Sequence, residues 1–166
     1  MTSEIKTNAA KEAAKLLAAT WPFGIPVDPV TIARAAGVRV VEAPLDSDTM
    51  GALIKQPGQE PTIMLNQGDA DNRKRFTCAH ELGHWVQRSD EAEEYATIDL
   101  RSGLSAMGDD PDEIFANEFA ACLLMPEDTV RVLHMQGLND IEMAIQFKVS
   151  REAMQFRLRN LGLMGS

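Results

Sequence analysis

The chain has 166 residues, enough for one domain with a buried core, and its 45% hydrophobic and 25% charged residues are the proportions of a soluble globular protein. A formal net charge of −9 excludes broad, charge-driven binding to nucleic acid or anionic lipid, though not a locally basic surface. The opening MTSEIKTNAAKEAAKLLAATW sets acids and lysines before any apolar run, unlike a signal peptide, and no stretch approaches the roughly 18 apolar residues of a membrane span.

In chain order, Asn8 to Ala19 reads as an Ala/Lys/Glu/Leu helix stopped by WPFGIP. A short helix follows over Pro29 to Ala36, with Asp28 as N-cap, Pro29 as first residue and Gly37 as the stop. Val38 to Glu42, MGALIK and PTIMLN read as three strands, the last two separated by the turn QPGQEP, which makes a small sheet, antiparallel in part. From Asp71 the chain turns helical, with Asp69 or Asp71 as cap, to about Arg88. The stretch from Ser89 to Glu113 is acidic, rich in small residues and weakly periodic, and reads as a long surface loop. DPDEIFANEFAACLLMP restores helical periodicity up to Pro126, EDTVRVLHMQG is a short helix closed by Gly137, and the tail reads as helix, turn, helix. The expected architecture is α+β, with residues 1–137 as the main domain and 138–166 as a C-terminal helical pair packed on it or appended to it. Cys78 and Cys122 both sit in apolar helical contexts, which points to reduced, buried thiols and a cytoplasmic protein.

The chemistry centres on RFTCAHELGHWVQ, Arg75 to Gln87, which contains H-E-x-x-H. His80 and His84 are one turn apart, about 40° around the helix axis, so both imidazoles reach one ion. Glu81 lies about 60° beyond His84, where a carboxylate takes a proton from a metal-activated water without ligating the metal. Gly83 removes a side chain beside the site, which eases the approach of a partner or substrate backbone. An isolated H-E-x-x-H also arises by chance. Here two of the three histidines in the chain occupy it, and Ala79, Leu82 and Val86 form a separate core face, so packing does not need the imidazoles. A catalytic zinc takes three protein ligands and a water. The third candidates are His134, more simply a helix-surface residue, and carboxylates of the later helices. Glu113 shares a face with Asn117, opposite Phe115, Phe119 and Cys122. Asp110, Pro111 and Glu113 equally fit a capping box, so spacing leaves Glu113 divided between cap and ligand.

RKRFTCAHELGHWVQ followed by DEIFANEFAACLLMP resembles the ImmA/IrrE family of zinc metallopeptidases, whose pattern is R-x-R-F-T-x-A-H-E-x-x-H and then E-x-x-A-N-x-F-A-x-x-L-L-M-P. Both blocks match in order, and the likeness spans roughly Ile25 to Leu163. The resemblance implies a zincin-like active-site helix and one zinc ion per chain on His80, His84 and Glu113. It makes Glu81 the general base and acid, and Asn117 a residue that orients a ligand or the substrate. Cys78 stands where the family commonly has a bulkier apolar residue. At about 200° from His80, its thiol points away from the metal. Family members commonly cleave or displace a helix-turn-helix repressor, switching on a stress or mobile-element programme. The competing class keeps zinc and fold but sequesters a repressor or toxin without cutting it.

The tail from Ile141 to Gly162 mimics a helix-turn-helix, with Ser150 as cap and Lys148, Arg151, Arg157 and Arg159 as basic residues. The acidic whole favours protein docking or packing over direct DNA binding. Arg73 and Arg75 are expected to brace acidic loops. A strand such as Gly51 to Lys55 is expected to hold a substrate as an added β-strand.

Overall fold

The computed structural model describes residues 1–88, 93–101 and 110–164. The first helix, α1 (Thr2–Thr20), starts earlier than Asn8, and its buried residues are the small Ala9 and Ala13. Helix α2 (Pro29–Ala35) is capped by Asp28, whose Oδ1 accepts from Val30 N at 3.0 Å. Three strands follow: β1 (Arg39–Ala43), β2 (Thr49–Lys55) and β3 (Thr62–Asn66). Helix α3 (Asp71–Arg88) carries the histidine pair.

The stretch expected to be a long loop contains a strand, β4 (Tyr95–Leu100). Its alternation was hidden by the acidic, small-residue composition on both sides. Residues 89–92 and 102–109 of that stretch lie outside the described residues, and its last three residues, 111–113, begin the next helix. Further helices among the described residues are α4 (Pro111–Leu124), α5 (Glu127–Met135), α6 (Asp140–Phe147) and α7 (Arg151–Asn160). The fold is α+β, as expected.

The sheet order is β1-β3-β2-β4. β1 runs parallel to β3, and β2 runs antiparallel to both β3 and β4. Both edges of β2 are therefore filled within the chain. That corrects the expectation that Gly51 to Lys55 offers an edge to a substrate; a peptide can pair there only in place of β4. Helix α3 lies on β2 and β3, α4 lies on α3, and α1 covers α4. Leu53, Ile63, Leu82, Phe119 and Leu123 join Phe147, Met154 and Leu158 of the C-terminal pair in one buried cluster. Among the described residues no helix is long and apolar enough to cross a membrane.

Candidate metal centre

The middle of α3 is buried on every side: Thr77 to His84 are all enclosed, because the helix is held between the sheet and α4. Two glycines make that close stacking possible. A Cβ on Gly51 would stand 2.5 Å from Thr77 Cγ2 and 2.8 Å from Met64 O. A Cβ on Gly83 would stand 3.0 Å from Ala116 Cα and 3.2 Å from Phe119. Gly83 thus lets α4 approach α3, which corrects the expectation that it eases the approach of a partner or substrate backbone.

His80 and His84 meet edge to face, with ring centroids 4.8 Å apart. Their Nε2 atoms face two carboxylates. Glu113 Oε2 lies 3.1 Å from His80 Nε2, and Glu113 Oε1 lies 3.0 Å from His84 Nε2. Asp99 Oδ2 lies 3.4 and 3.7 Å from the same two nitrogens. All four residues are buried, and one donor atom from each falls within 4.8 Å of the others.

The residues present fit a metal ion. Donors around a tetrahedral zinc with bonds of about 2.0–2.2 Å stand about 3.3–3.6 Å apart, close to the four contacts observed. Moreover, both ring nitrogens of His80 and His84, Asp99 Oδ2 and Glu113 Oε2 are buried without a hydrogen-bond partner among the described residues. Orphaned buried donors and acceptors are costly; here the two Nε2 atoms and the carboxylate oxygens gather at one place, where a cation would satisfy them together.

The charges agree with that arrangement. Burial lowers the His80 pKa, but the Asp99 and Glu113 carboxylates outweigh it and hold the imidazole up at about 9. Burial raises Asp99 and Glu113 in turn, and the neighbouring imidazoles pull both below their usual values. Glu81 is wholly enclosed, and burial, then Asp99 and Glu113, push its carboxyl well above the usual range. This is a cation-demanding pocket beside a carboxyl poised to hold a proton.

Of the residues expected at the site, His80, Glu81, His84 and Glu113 are brought together. Asp110 caps α4 by accepting from Asp112 N at 2.9 Å, while Glu113 turns its carboxylate to the imidazoles. Asn117 is exposed, one turn beyond Glu113 on the same helix. His134 is exposed in the last turn of α5 and outside the group. Cys78 is part of the core cluster, and burial pushes its thiol up to about 12, which makes it an inert packing residue. Arg75 does not brace an acidic loop. It donates to Val27 O at 2.7 Å, Phe147 O at 3.2 Å and Lys148 O at 3.1 Å, tying the end of α6 to the body.

Sequence reasoning missed Asp99. It lies in YATIDL, where Tyr95, Thr97 and Asp99 alternate with Ala96, Ile98 and Leu100, a two-residue period that marks a strand and was the available signal.

Residues 33–159 match the family model Peptidase_M78, described as the IrrE N-terminal-like domain. No match is found among curated proteins.

Proposed function

Because the chain belongs to the Peptidase_M78 family, that of the IrrE N-terminal-like domain, we propose that it is a zinc metallopeptidase acting on a regulatory protein of the helix-turn-helix type. In this proposal His80, His84 and Glu113 hold one ion per chain, and Glu81 handles the proton. The observation that carries it is the convergence of buried donor atoms beside a wholly buried carboxyl on the same helix. Imidazole and carboxylate together suit zinc, and the family favours that metal.

When bound, zinc supplies Lewis acidity, making water nucleophilic near neutral pH and polarising a peptide carbonyl. The chain's own contribution is orientation and proton transfer. His80 and His84 are fixed one turn apart by α3, and Glu113 is fixed by the α3–α4 contact at Gly83. Glu81 has both carboxyl oxygens without a hydrogen-bond partner among the described residues. Burial beside Asp99 and Glu113 favours its protonated form, and a carboxyl so placed is the group to accept a proton from water and return it to a leaving amine. Asn117, exposed beside this face of α4, is assigned to orienting the peptide.

The partner in this proposal docks on the C-terminal pair, where Ile141, Ile145 and Phe156 face solvent. Such a surface suits a protein better than a phosphate backbone. A cytoplasmic setting is part of the same proposal. A second reading, a zinc-containing regulator that sequesters its partner uncut, is favoured by one observation: Asp99 adds a fourth donor where a catalytic site keeps an open position.

Glu81→Gln separates the two readings. The variant is expected to fold, keep zinc and bind the partner, while cleavage falls by about 10²–10⁴-fold, the usual worth of general acid–base assistance. Zinc content, partner affinity and fragment production over time are the measurements. Relief of repression by both wild type and Glu81→Gln, with no fragments from either, would establish the sequestering regulator in place of the peptidase.

A further inference from the structure

β4 occupies the edge of β2 that was expected to take an incoming peptide. It pairs antiparallel with β2, from Lys55↔Tyr95 to Thr49↔Leu100, on the strand that borders α3. The register shifts between Thr49 and Gly51, and Gly51 is the partner of Asp99. The extra residue, Met50, is on β2, and bulges of this kind recur next to functional sites. Here it lies beside the one residue of β4 whose carboxylate faces the imidazoles.

Asp99 completes a set of four. A zinc site that performs chemistry leaves one coordination position free, whereas four protein donors make a closed site. With His80, His84 and Glu113 as three donors, the Asp99 carboxylate, 3.4 and 3.7 Å from the two Nε2 atoms, is the fourth. It is 5% exposed and lies against Glu81 as well.

The strand is held by means that can be released. Its outward residues include Ile98, 63% exposed, and Leu100, 42% exposed, so these two large aliphatic side chains do little to anchor it. Among the described residues, β4 is held by its ladder with β2, the Asp99 carboxylate, Tyr95 packed against the core cluster and a pin at each end. At one end the Arg88 guanidinium lies 5.6 Å over the Tyr95 ring. At the other, Arg101 pairs with Asp69, its Nε donates to Ser47 O at 2.6 Å, and its backbone N donates to Asp48 O at 2.7 Å. An extended peptide remakes the same ladder on β2, so exchange of one strand for the other conserves backbone hydrogen bonds.

We propose that β4 is an internal inhibitory strand: it keeps the substrate's place on β2, its Asp99 carboxylate takes the fourth metal position, and a peptide gains the site by displacing it. This rests on the metallopeptidase reading above and adds its regulation.

The test uses the full chain loaded with Co2+ in place of zinc, titrated with acetohydroxamate as a small metal-chelating probe. Metal content, the visible Co2+ spectrum and probe affinity are read for wild type, Asp99→Ala and Arg101→Ala. Asp99→Ala is expected to keep one ion, change the spectrum and bind the probe more tightly by the inverse of the fraction of time Asp99 is already released. For a minor state populated at about 0.1–10%, that gain is about 10- to 1000-fold. Arg101→Ala, which leaves every metal-site residue in place, is expected to gain affinity in the same direction by a smaller factor. That gain supports the proposal even where Asp99→Ala loses its ion. Equal probe affinity and identical spectra for wild type and Asp99→Ala overturn it, while a stoichiometric ion in the wild type leaves the metal-centre reading standing. Loss of metal in Asp99→Ala with no gain in Arg101→Ala also overturns it, because Asp99 is then an obligatory ligand on a fixed strand. A wild type that binds no metal sinks both readings together.

Discussion

His80 and Glu81 are adjacent in the chain and respond to the same pocket in ways that set its pH dependence. In metal-free protein the flanking carboxylates hold the His80 imidazole at about 9 against the effect of burial. Its contribution to stability is therefore fully present below about pH 6.5, its unfolded value, and is lost as pH rises through about 9. Glu81 acts in the same direction, since burial raises its pKa and its ionisation at higher pH opposes folding. Asp99 and Glu113, held down by the imidazoles, contribute above the usual carboxylate range and lose that contribution as pH falls through their lowered values. Chelator-treated protein should consequently melt at a higher temperature near pH 6 than near pH 9. Zinc should narrow the difference by replacing protons as the counter-charge. Thermal scans at the two pH values, with and without chelator, check this. Equal midpoints in chelator would show that these carboxylates do not hold the imidazole proton.

At the scale of elements, the centre depends on how closely α3 can lie between the sheet and α4. Gly83→Ala gains helix propensity of about 1 kcal/mol, but the new methyl meets the Ala116 backbone at 3.0 Å. Overpacking of that kind costs about 1–3 kcal/mol. A net loss of stability is expected in urea unfolding, together with weaker metal retention, because α4 carries Glu113. If Gly83 served substrate access instead, the same variant would gain stability and bind metal as before while losing affinity for peptide.

For the whole molecule, two arginines join the C-terminal pair to the body. Arg75 supplies hydrogen bonds to carbonyls at Val27, Phe147 and Lys148. Arg75→Met should lower stability by about 1.5–3 kcal/mol, the range for bonds from a charged donor, as measured by denaturant unfolding. Arg157 is buried, and its Nε donates to Met125 O at 3.0 Å, so it is part of the fold and not of a docking surface. Arg157→Glu should destabilise by about 2–5 kcal/mol, since it buries a carboxylate without its donor. Arg159 is exposed over the Phe156 ring, its guanidinium 5.1 Å from the centroid. Arg159→Glu should change stability by less than about 1 kcal/mol while weakening capture of the proposed partner. Unchanged capture would move the docking surface off this pair.

Much of this arrangement follows from local pattern. The i and i+4 spacing of His80 and His84, the Asp28–Pro29 and Asp110–Pro111 helix starts, and the periodicity of α3 and α4 are short-range features, and a short-range reading of the chain recovers them. The convergence of Glu113 on the imidazoles was legible through the second sequence block, though its spacing alone was equally that of a cap. Tertiary structure decided the rest, because those features depend on which surfaces meet. Gly83 reads as an opening along the helix and proves to be a contact only once α4 lies across it. Arg75 and Arg157 read as surface charge until the carbonyls of distant residues are placed beside them. Asp99 is the clearest case: one acid in an acidic stretch, it becomes part of the centre because β4 pairs with β2 in a register that sets it opposite Gly51, with its carboxylate facing two histidines. Strand pairing is a long-range choice that a single strand's composition cannot express, so a candidate ligand carried on such a strand emerges only when the sheet is assembled.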